Sequence, residues 1–365
     1  MKRDSIHFSV LEDDGYNVPI KFILSPREPG KTTSMTLDKV LAWFKKGLPS
    51  VVLVNQAIDI MEEYLASFET TINSFDGYHI ETRYKKAGKE TCATVRARFS
   101  DDEEFRPFVY VIPFSAPLTR LKRLNLGPIG CLWYDECNVN VAIGEKWPAD
   151  ITTKWNELYT TFARACYPRT LNFYATGNYY TRYNPLMIYL GVDCNKLKMG
   201  EKTLTHCEKI VLGKKVNYDS LVDCYKLKPE LVDYILEHNP GYVFDDTYTK
   251  YFLGEAIGDV GVPIDEKQPQ NMKLRFVFKL QSRYLYIYSG EVEYRAKYWL
   301  RSTDEPPGKR RDVFVADVTQ IQSGTILGKA FKDTFTSLKF ALSKMDCTFN
   351  SNEAYYLMQN IYGIL

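Results

Sequence analysis

The stretch Ser25-Pro26-Arg27-Glu28-Pro29-Gly30-Lys31-Thr32-Thr33 constrains this chain more than any other. It fits the P-loop pattern G-x-x-x-x-G-K-[ST], except that Ser25 stands in place of the first glycine. The mainly apolar run Ile20-Lys21-Phe22-Ile23-Leu24 before it reads as a strand. After it, Met35, Leu37, Val40, Leu41 and Phe44 recur at helical spacing, until Gly47 and Pro49 stop the pattern. Strand, tight loop and helix in that order suit phosphate binding. Gly30 lets backbone N–H groups approach an anion, Lys31 reaches the β- and γ-phosphates, and the Thr32 hydroxyl holds Mg²⁺. The helix N-terminus adds partial positive charge. A chance Gly-Lys-Thr at a strand–helix turn is the competing reading, and Ser25 is its support.

A second motif lies downstream. Ile129-Gly130-Cys131-Leu132-Trp133-Tyr134 is an apolar run that ends in Asp135-Glu136, the Walker B pattern. A strand of this kind presents its acids at the C-terminal edge of an open α/β sheet, where ligands sit. Asp135 is placed for the Mg²⁺ shell, and Glu136 is placed to polarise a water attacking the γ-phosphate. The two motifs in this order point to an ATP hydrolase that uses ATP and Mg²⁺. The next strand, Thr170–Thr176, runs into Gly177-Asn178, where Thr176 or Asn178 is a candidate phosphate sensor. An arginine is needed where charge builds on the phosphoryl group. Arg164, Arg169, Arg120 and Arg123 are candidates, each singly more in keeping with a surface charge.

The wider pattern is α/β. Val51–Val54 and Val109–Phe114 read as strands, and Ile58–Phe75 and Trp155–Cys166 as helices. Tyr78–Tyr84 and Thr91–Phe99 read as a hairpin with the basic tip Lys85–Lys89. Alternation of this kind argues for a largely parallel sheet with helices on its faces. The 365 residues suggest two domains. We expect an ATPase domain over 1–195, a lysine-rich linker or lid over 196–270, and a second α/β domain over 271–365 with four strand-like runs and two terminal helices. The last segment holds 14 Lys+Arg against 9 Asp+Glu, so the basic surplus lies there. Its loop Lys309-Arg310-Arg311 is a candidate contact for a nucleic-acid backbone. Eight cysteines without a Cys-x-x-Cys pair, and only four histidines, argue against a zinc site. No apolar run is long enough to span a bilayer, and the first residues lack a secretory pattern, which predicts a cytoplasmic protein with no membrane partner.

Phe22–Met35, Pro113–Cys137, Phe162–Pro185 and, more weakly, Phe276 to the C-terminus resemble the DNA-encapsidation ATPases of small protein-primed podophages, within the additional-strand, terminase-like P-loop motors. Arg27 takes the place of that family's P-loop arginine, and Lys122 that of a basic residue ahead of the catalytic glutamate. Phe162-Ala163-Arg164 resembles the site of an arginine acting across a subunit boundary, shifted by one residue. The resemblance implies a ring, of five subunits, on the portal of an empty prohead, pushing double-stranded DNA inward; an RNA scaffold is a candidate tether. It implies residence in the infected host's cytoplasm and absence from the mature virion. It also implies a C-terminal domain with an RNase H-like fold whose nuclease is vestigial. A helicase or a terminase with a live nuclease is the enzymatic alternative, and a degenerate P-loop scaffold the non-enzymatic one.

Overall fold

The computed structural model describes residues 7–26, 29–57, 60–85, 92–121, 123–139, 147–148, 151–181, 184–211, 214–238, 265–280, 283–292, 295–308, 312–315, 325–328, 334–343 and 347–362. The chain divides into two compact units, one of residues 1–184 and 196–258, the other of 185–195 and 259–365. No helix among the described residues is long and apolar enough to cross a membrane.

The first unit is built on nine strands in the order β3-β4-β5-β2-β6-β7-β1-β9-β8. These are β1 (Ile20–Ser25), β2 (Ser50–Val54), β3 (Glu81–Lys85), β4 (Ala93–Arg98), β5 (Arg106–Pro113), β6 (Cys131–Tyr134), β7 (Asn172–Asn178), β8 (Lys202–Val211) and β9 (Lys214–Cys224). The middle six, β5-β2-β6-β7-β1-β9, pair in parallel. At the two edges β3-β4-β5 and β9-β8 turn antiparallel. Parallel strands covered on both faces read as continuous apolar runs. Accordingly Ser50–Val54 and Cys131–Tyr134 are buried at every residue. Helices 62–73 and 151–166 pack their buried stripes, Leu65, Phe68 and Ile72 in one and Trp155, Leu158 and Phe162 in the other. Gly130 precedes β6 because Trp43 lies against it: a Cβ there would sit 2.3 Å from the indole. The Arg169 guanidinium stacks on that ring at 4.6 Å and donates to the Gly130 carbonyl.

Two sequence expectations meet differences. The helix after the P-loop starts at Lys31–Ser34, but its middle, Met35–Leu41, is π-helical before Ala42–Lys45 returns to α. Residues 196–238, expected as a linker or lid with a short helix over Lys228–His238, do supply that helix, Pro229–His238, but they also supply the strands β8 and β9. β9 pairs in parallel with β1 itself, from Ile20↔Ser220 to Leu24↔Cys224. The pattern was hard to read because the first half of β9 is exposed on both faces, so no apolar alternation marks it. Residues 239–264 and the tip of the β3–β4 hairpin lie outside the described residues.

The second unit carries a six-stranded sheet in the order β14-β13-β10-β11-β12-β15, made of β10 (Lys273–Leu280), β11 (Arg283–Val292), β12 (Arg295–Thr303), β13 (Val313–Val315), β14 (Thr325–Leu327) and β15 (Cys347–Phe349). β10, β11 and β12 form an antiparallel meander, with β13 parallel to β10, β14 to β13 and β15 to β12. Helices 336–343 and 352–362 follow the sequence reading in kind.

One buried charge cluster ties the first unit's N-terminal segment to its sheet. The Lys202 ammonium lies 2.5 Å from Asp13 and 3.4 Å from Asp223. Burial pushes both carboxyls up, Asp223 to about 7 with the Asp13 charge adding to the rise, and the single lysine between the two acids only partly opposes it. The folded chain therefore holds a proton that the unfolded chain releases, so this contribution to stability is full below the ordinary carboxylate range and is lost as pH rises through about 7. Asp223→Asn removes that titration. Thermal melts should show a smaller loss of Tm between about pH 5 and about pH 8 than in wild type, with a gain of roughly 2–4 °C at the upper end. Parallel pH profiles for the two proteins would refute the shared proton.

Candidate functional site

Two strands end level with one another, and a third stops just short of them. β1 pairs with β7 residue for residue up to Ser25↔Asn178, and β6 pairs with β7 up to Tyr134↔Ala175. The P-loop, the Asp135-Glu136 pair and the Thr176–Asn178 turn therefore come together at the C-terminal ends of the parallel strands.

Gly30 has φ 84°, a left-handed conformation that favours glycine, and it hands the chain to the helix at Lys31. Lys31 is buried. Its ammonium donates to Ser25 Oγ at 2.6 Å, to the Pro26 carbonyl at 3.0 Å and to Asn178 Oδ1 at 3.1 Å. Ser25, the departure from the P-loop pattern, thus gives the lysine a neutral oxygen. Thr32 is exposed in the first helical turn and Thr33 half-buried, while Pro26 and Pro29 are buried. Arg27 and Glu28 lie outside the described residues, as does Lys122.

Asp135 is buried at the end of β6. Thr176 donates to its Oδ1 at 3.1 Å and the Tyr64 hydroxyl to its Oδ2 at 3.1 Å. Burial pushes the carboxyl above the ordinary range, opposed by those hydrogen bonds, by the Glu136 N–H and by the Lys31 charge. Glu136 has φ 51°, a left-handed conformation that costs a non-glycine residue roughly 1–2 kcal/mol. Asn55, just past β2, secures it by donating to the Glu136 carbonyl at 2.8 Å, and Tyr134 donates its hydroxyl to Asn55. The Glu136 carboxylate accepts from Asn178 Nδ2 at 3.1 Å. One amide therefore bridges Lys31 and Glu136. Behind it, Gly177 has no room for a side chain, since a Cβ would lie 2.9 Å from Cys137 Sγ and 3.0 Å from the Asn138 nitrogen. Asn138 donates to the Asn178 and Thr181 carbonyls, and Asn184 to Cys137 and Asn138, which holds the turn.

The residues suit a magnesium nucleotide. A hard dication takes oxygen ligands, and a carboxylate (Asp135) and a hydroxyl (Thr32) stand near a lysine whose contacts given above are all neutral oxygens. Asn55 and Tyr64 were missed by the sequence reading. Asn55 had one usable signal: it is a polar residue directly after an apolar strand, on the edge of the sheet where ligands bind. Tyr64 had none, because it sits within an apolar helical stripe.

Arg164 is exposed near the C-terminal end of helix 151–166. The next turn, through Cys166 and Arg169, touches Ile129 and Gly130 ahead of β6. Arg164 thus lies by the N-terminal ends of the parallel strands, away from Lys31 and Glu136 of its own chain. Arg169 is engaged by Gly130 and Trp43. Lys309, Arg310 and Arg311 lie outside the described residues.

Thr176 accepts from the buried Trp133 Nε1 at 2.8 Å while it donates to Asp135. Thr176→Val keeps the shape, strands the buried Trp133 N–H and takes one donor from Asp135, so urea unfolding should show a loss of about 1–3 kcal/mol. Gly177→Ala should cost about as much through overpacking. Unchanged midpoints in both variants would rule out this packing.

No protein-family model matches the sequence, and no curated protein does. Solved structures do match. One, titled the Phi-28 gp11 DNA packaging motor, aligns at TM-score 0.64 and 14% identity, over 99% of this chain and 98% of that one. Another, the bacteriophage Phi-29 viral genome packaging motor assembly, aligns at TM-score 0.50 and 14% identity, over 98% and 100%. Over nearly its whole length, the chain has the mixed α/β fold of these phage packaging-motor proteins.

Proposed function

We propose that this protein is an ATP hydrolase that drives double-stranded DNA into a phage prohead, working as one subunit of a homomeric ring of five. The observation that carries the hydrolase reading is the Asn178 amide, which joins the P-loop lysine to the glutamate after Walker B. In this reading Lys31 binds the β- and γ-phosphate oxygens, the loop N–H groups through Gly30 and Thr33 line the phosphates, and Thr32 and Asp135 hold the metal. Magnesium, when bound, neutralises charge on the phosphate oxygens. Glu136 accepts the proton of the attacking water. A phosphate that takes Lys31 away from Asn178 Oδ1 releases one end of the amide whose other end orients Glu136. Occupancy of the γ-position and readiness of the base are then linked through one side chain.

The DNA part rests on the fold likeness and on the basic surplus of residues 271–365. The second unit's meander, flanked by parallel strands, supports an RNase H-like module. Its Glu353 is bound to Arg283 at 2.5 Å. We assign this unit a binding role on DNA or the portal, with Lys309, Arg310 and Arg311 as candidate phosphate contacts and the nuclease vestigial. The charge that stabilises the transition state comes from Arg27, or from Arg164 or Lys122 of a neighbouring subunit. The motor works in the infected cell's cytoplasm, on the portal vertex, with a packaging RNA as a candidate tether.

The test is steady-state hydrolysis with and without linear duplex DNA, over a range of protein concentration. Turnover should rise with both. Glu136→Gln should bind ATP yet lose about 10²–10⁴-fold in kcat, the range for a general base. Lys31→Ala should lose ATP binding as well. Normal turnover by Glu136→Gln would overturn the catalytic assignment.

Asn178→Ala isolates the bridge. It leaves Lys31 and Glu136 in place, so ATP should still bind while kcat falls at least ~tenfold, the order of one misplaced catalytic group. An unchanged kcat would show that the bridge plays no part in turnover.

A further inference from the structure

β9 is longer than the sheet it joins. It pairs with β1 only over Ser220–Cys224, yet its pairing with β8 continues for six further residue pairs, from His206↔Asp219 to Val211↔Lys214. At about 3.3 Å per residue, a two-stranded ribbon of roughly 20 Å runs past the end of β1. His206, Lys214, Lys215, Asn217 and Tyr218 along it are exposed, on both of its faces. Tyr218 is 49% exposed. An isolated two-stranded ribbon is marginal in water, and a half-exposed aromatic on one suits contact with a protein partner. The tip, residues 209–215, contains Lys209, Lys214 and Lys215 and no acid.

The opposite edge of the same sheet carries the complement. The β4–β5 turn is Ser100-Asp101-Asp102-Glu103-Glu104, and all four acids are exposed. The arginines around it are engaged: Arg98 by Glu81 and Asp101, Arg96 by the Phe105 carbonyl, and Arg106 over the Phe44 ring. β5 and β9 both run parallel within the sheet, and both turns precede them. The basic tip and the acidic turn therefore lie at the same end of the sheet, the end away from Lys31 and Glu136, on opposite edges. Two complementary patches on opposite edges generate a head-to-tail contact, which repeats into a ring.

We propose that the β8–β9 ribbon of one chain docks on the acidic β4–β5 turn of a second copy, with Lys214, Lys215 and Tyr218 facing Asp102 and Glu104. This rests on the ring reading and names its interface.

The experiment measures self-association by sedimentation velocity, with ATP and linear duplex DNA present. It compares wild type, Lys214→Glu/Lys215→Glu, Asp102→Lys/Glu104→Lys, and the chain carrying all four changes. Thermal melts confirm that each folds. Each one-sided reversal puts like charges together and should lower the association constant at least ~tenfold, and the fourfold variant should recover it. Tyr218→Ala should weaken association without changing its salt dependence. Wild type that stays monomeric throughout would remove the ring reading and this interface together. Wild type that assembles while the one-sided reversals assemble equally well would remove only the interface. So would a fourfold variant that fails to recover. Reversals that spare assembly but abolish stimulation by DNA would reassign the tip to DNA and overturn the proposal.

Discussion

The parallel pairing of β1 with β7, unbroken from Ile20↔Phe173 to Ser25↔Asn178, is the constraint on which the rest of the site depends. Side chains alternate along a strand, so a one-residue slip would carry Asn178 to the other face of the sheet and bring Gly177 into its place. β7 also sets the level of β6, through Leu132↔Phe173 and Tyr134↔Ala175. β7 is thus the ruler against which the other two strand ends are set. Burial reinforces it: Trp133, Tyr134, Phe173 and Tyr174 are all enclosed, and a slip would expose or crowd them. Chemistry by three short contacts near 3 Å is available only because this hydrophobic sandwich holds the register.

The cost of the arrangement is concentrated at the same strand ends. Lys31 and Asp135 are charges taken largely out of water, and Glu136 has left-handed backbone. Each is held by a neighbour with a dedicated hydrogen bond: Ser25 and Asn178 for the lysine, Thr176 and Tyr64 for the aspartate, Asn55 for the glutamate's peptide. Strain and desolvation kept in place by surrounding packing are characteristic of reacting centres. They also explain why Gly177 has no side chain. The turn that carries Asn178 lies against Cys137 and Asn138, so moving one would move the other.

Much of this was legible in the sequence, for identifiable reasons. The P-loop and Walker B stretches are continuous in sequence, and each carries its own context of apolar strand before and polar residue after. The end of β7 was legible as a strand end, and the structure brings both Thr176 and Asn178 into hydrogen bonds there. What was hidden is discontinuous. Asn55 and Tyr64 act through partners some 70–80 positions away and belong to stretches that read as ordinary strand end and helix. The strands of 202–224 escaped because exposed ribbon has no apolar period, while lysines spread along both strands imitate a solvated linker. The half-buried Lys202 is indistinguishable in sequence from the exposed lysines near it; only its partners Asp13 and Asp223 mark it.

An open sheet of nine strands has two edges, and edges are liabilities unless something covers, charges or pairs them. This chain treats its two edges differently. β3 at one end is short and studded with Glu81, Arg83 and Lys85, and its neighbouring turn is acidic. β8 at the other end is long and continues with β9 past the sheet as an exposed ribbon with a basic tip. A monomer gains nothing from so extended an edge, since ordering it costs conformational entropy without burying apolar surface in return. The asymmetry becomes economical when each edge is the other's partner in a neighbouring copy. In the proposed contact the ribbon and the acidic turn, both at the end of the sheet away from Lys31, Asp135 and Glu136, would do the assembling.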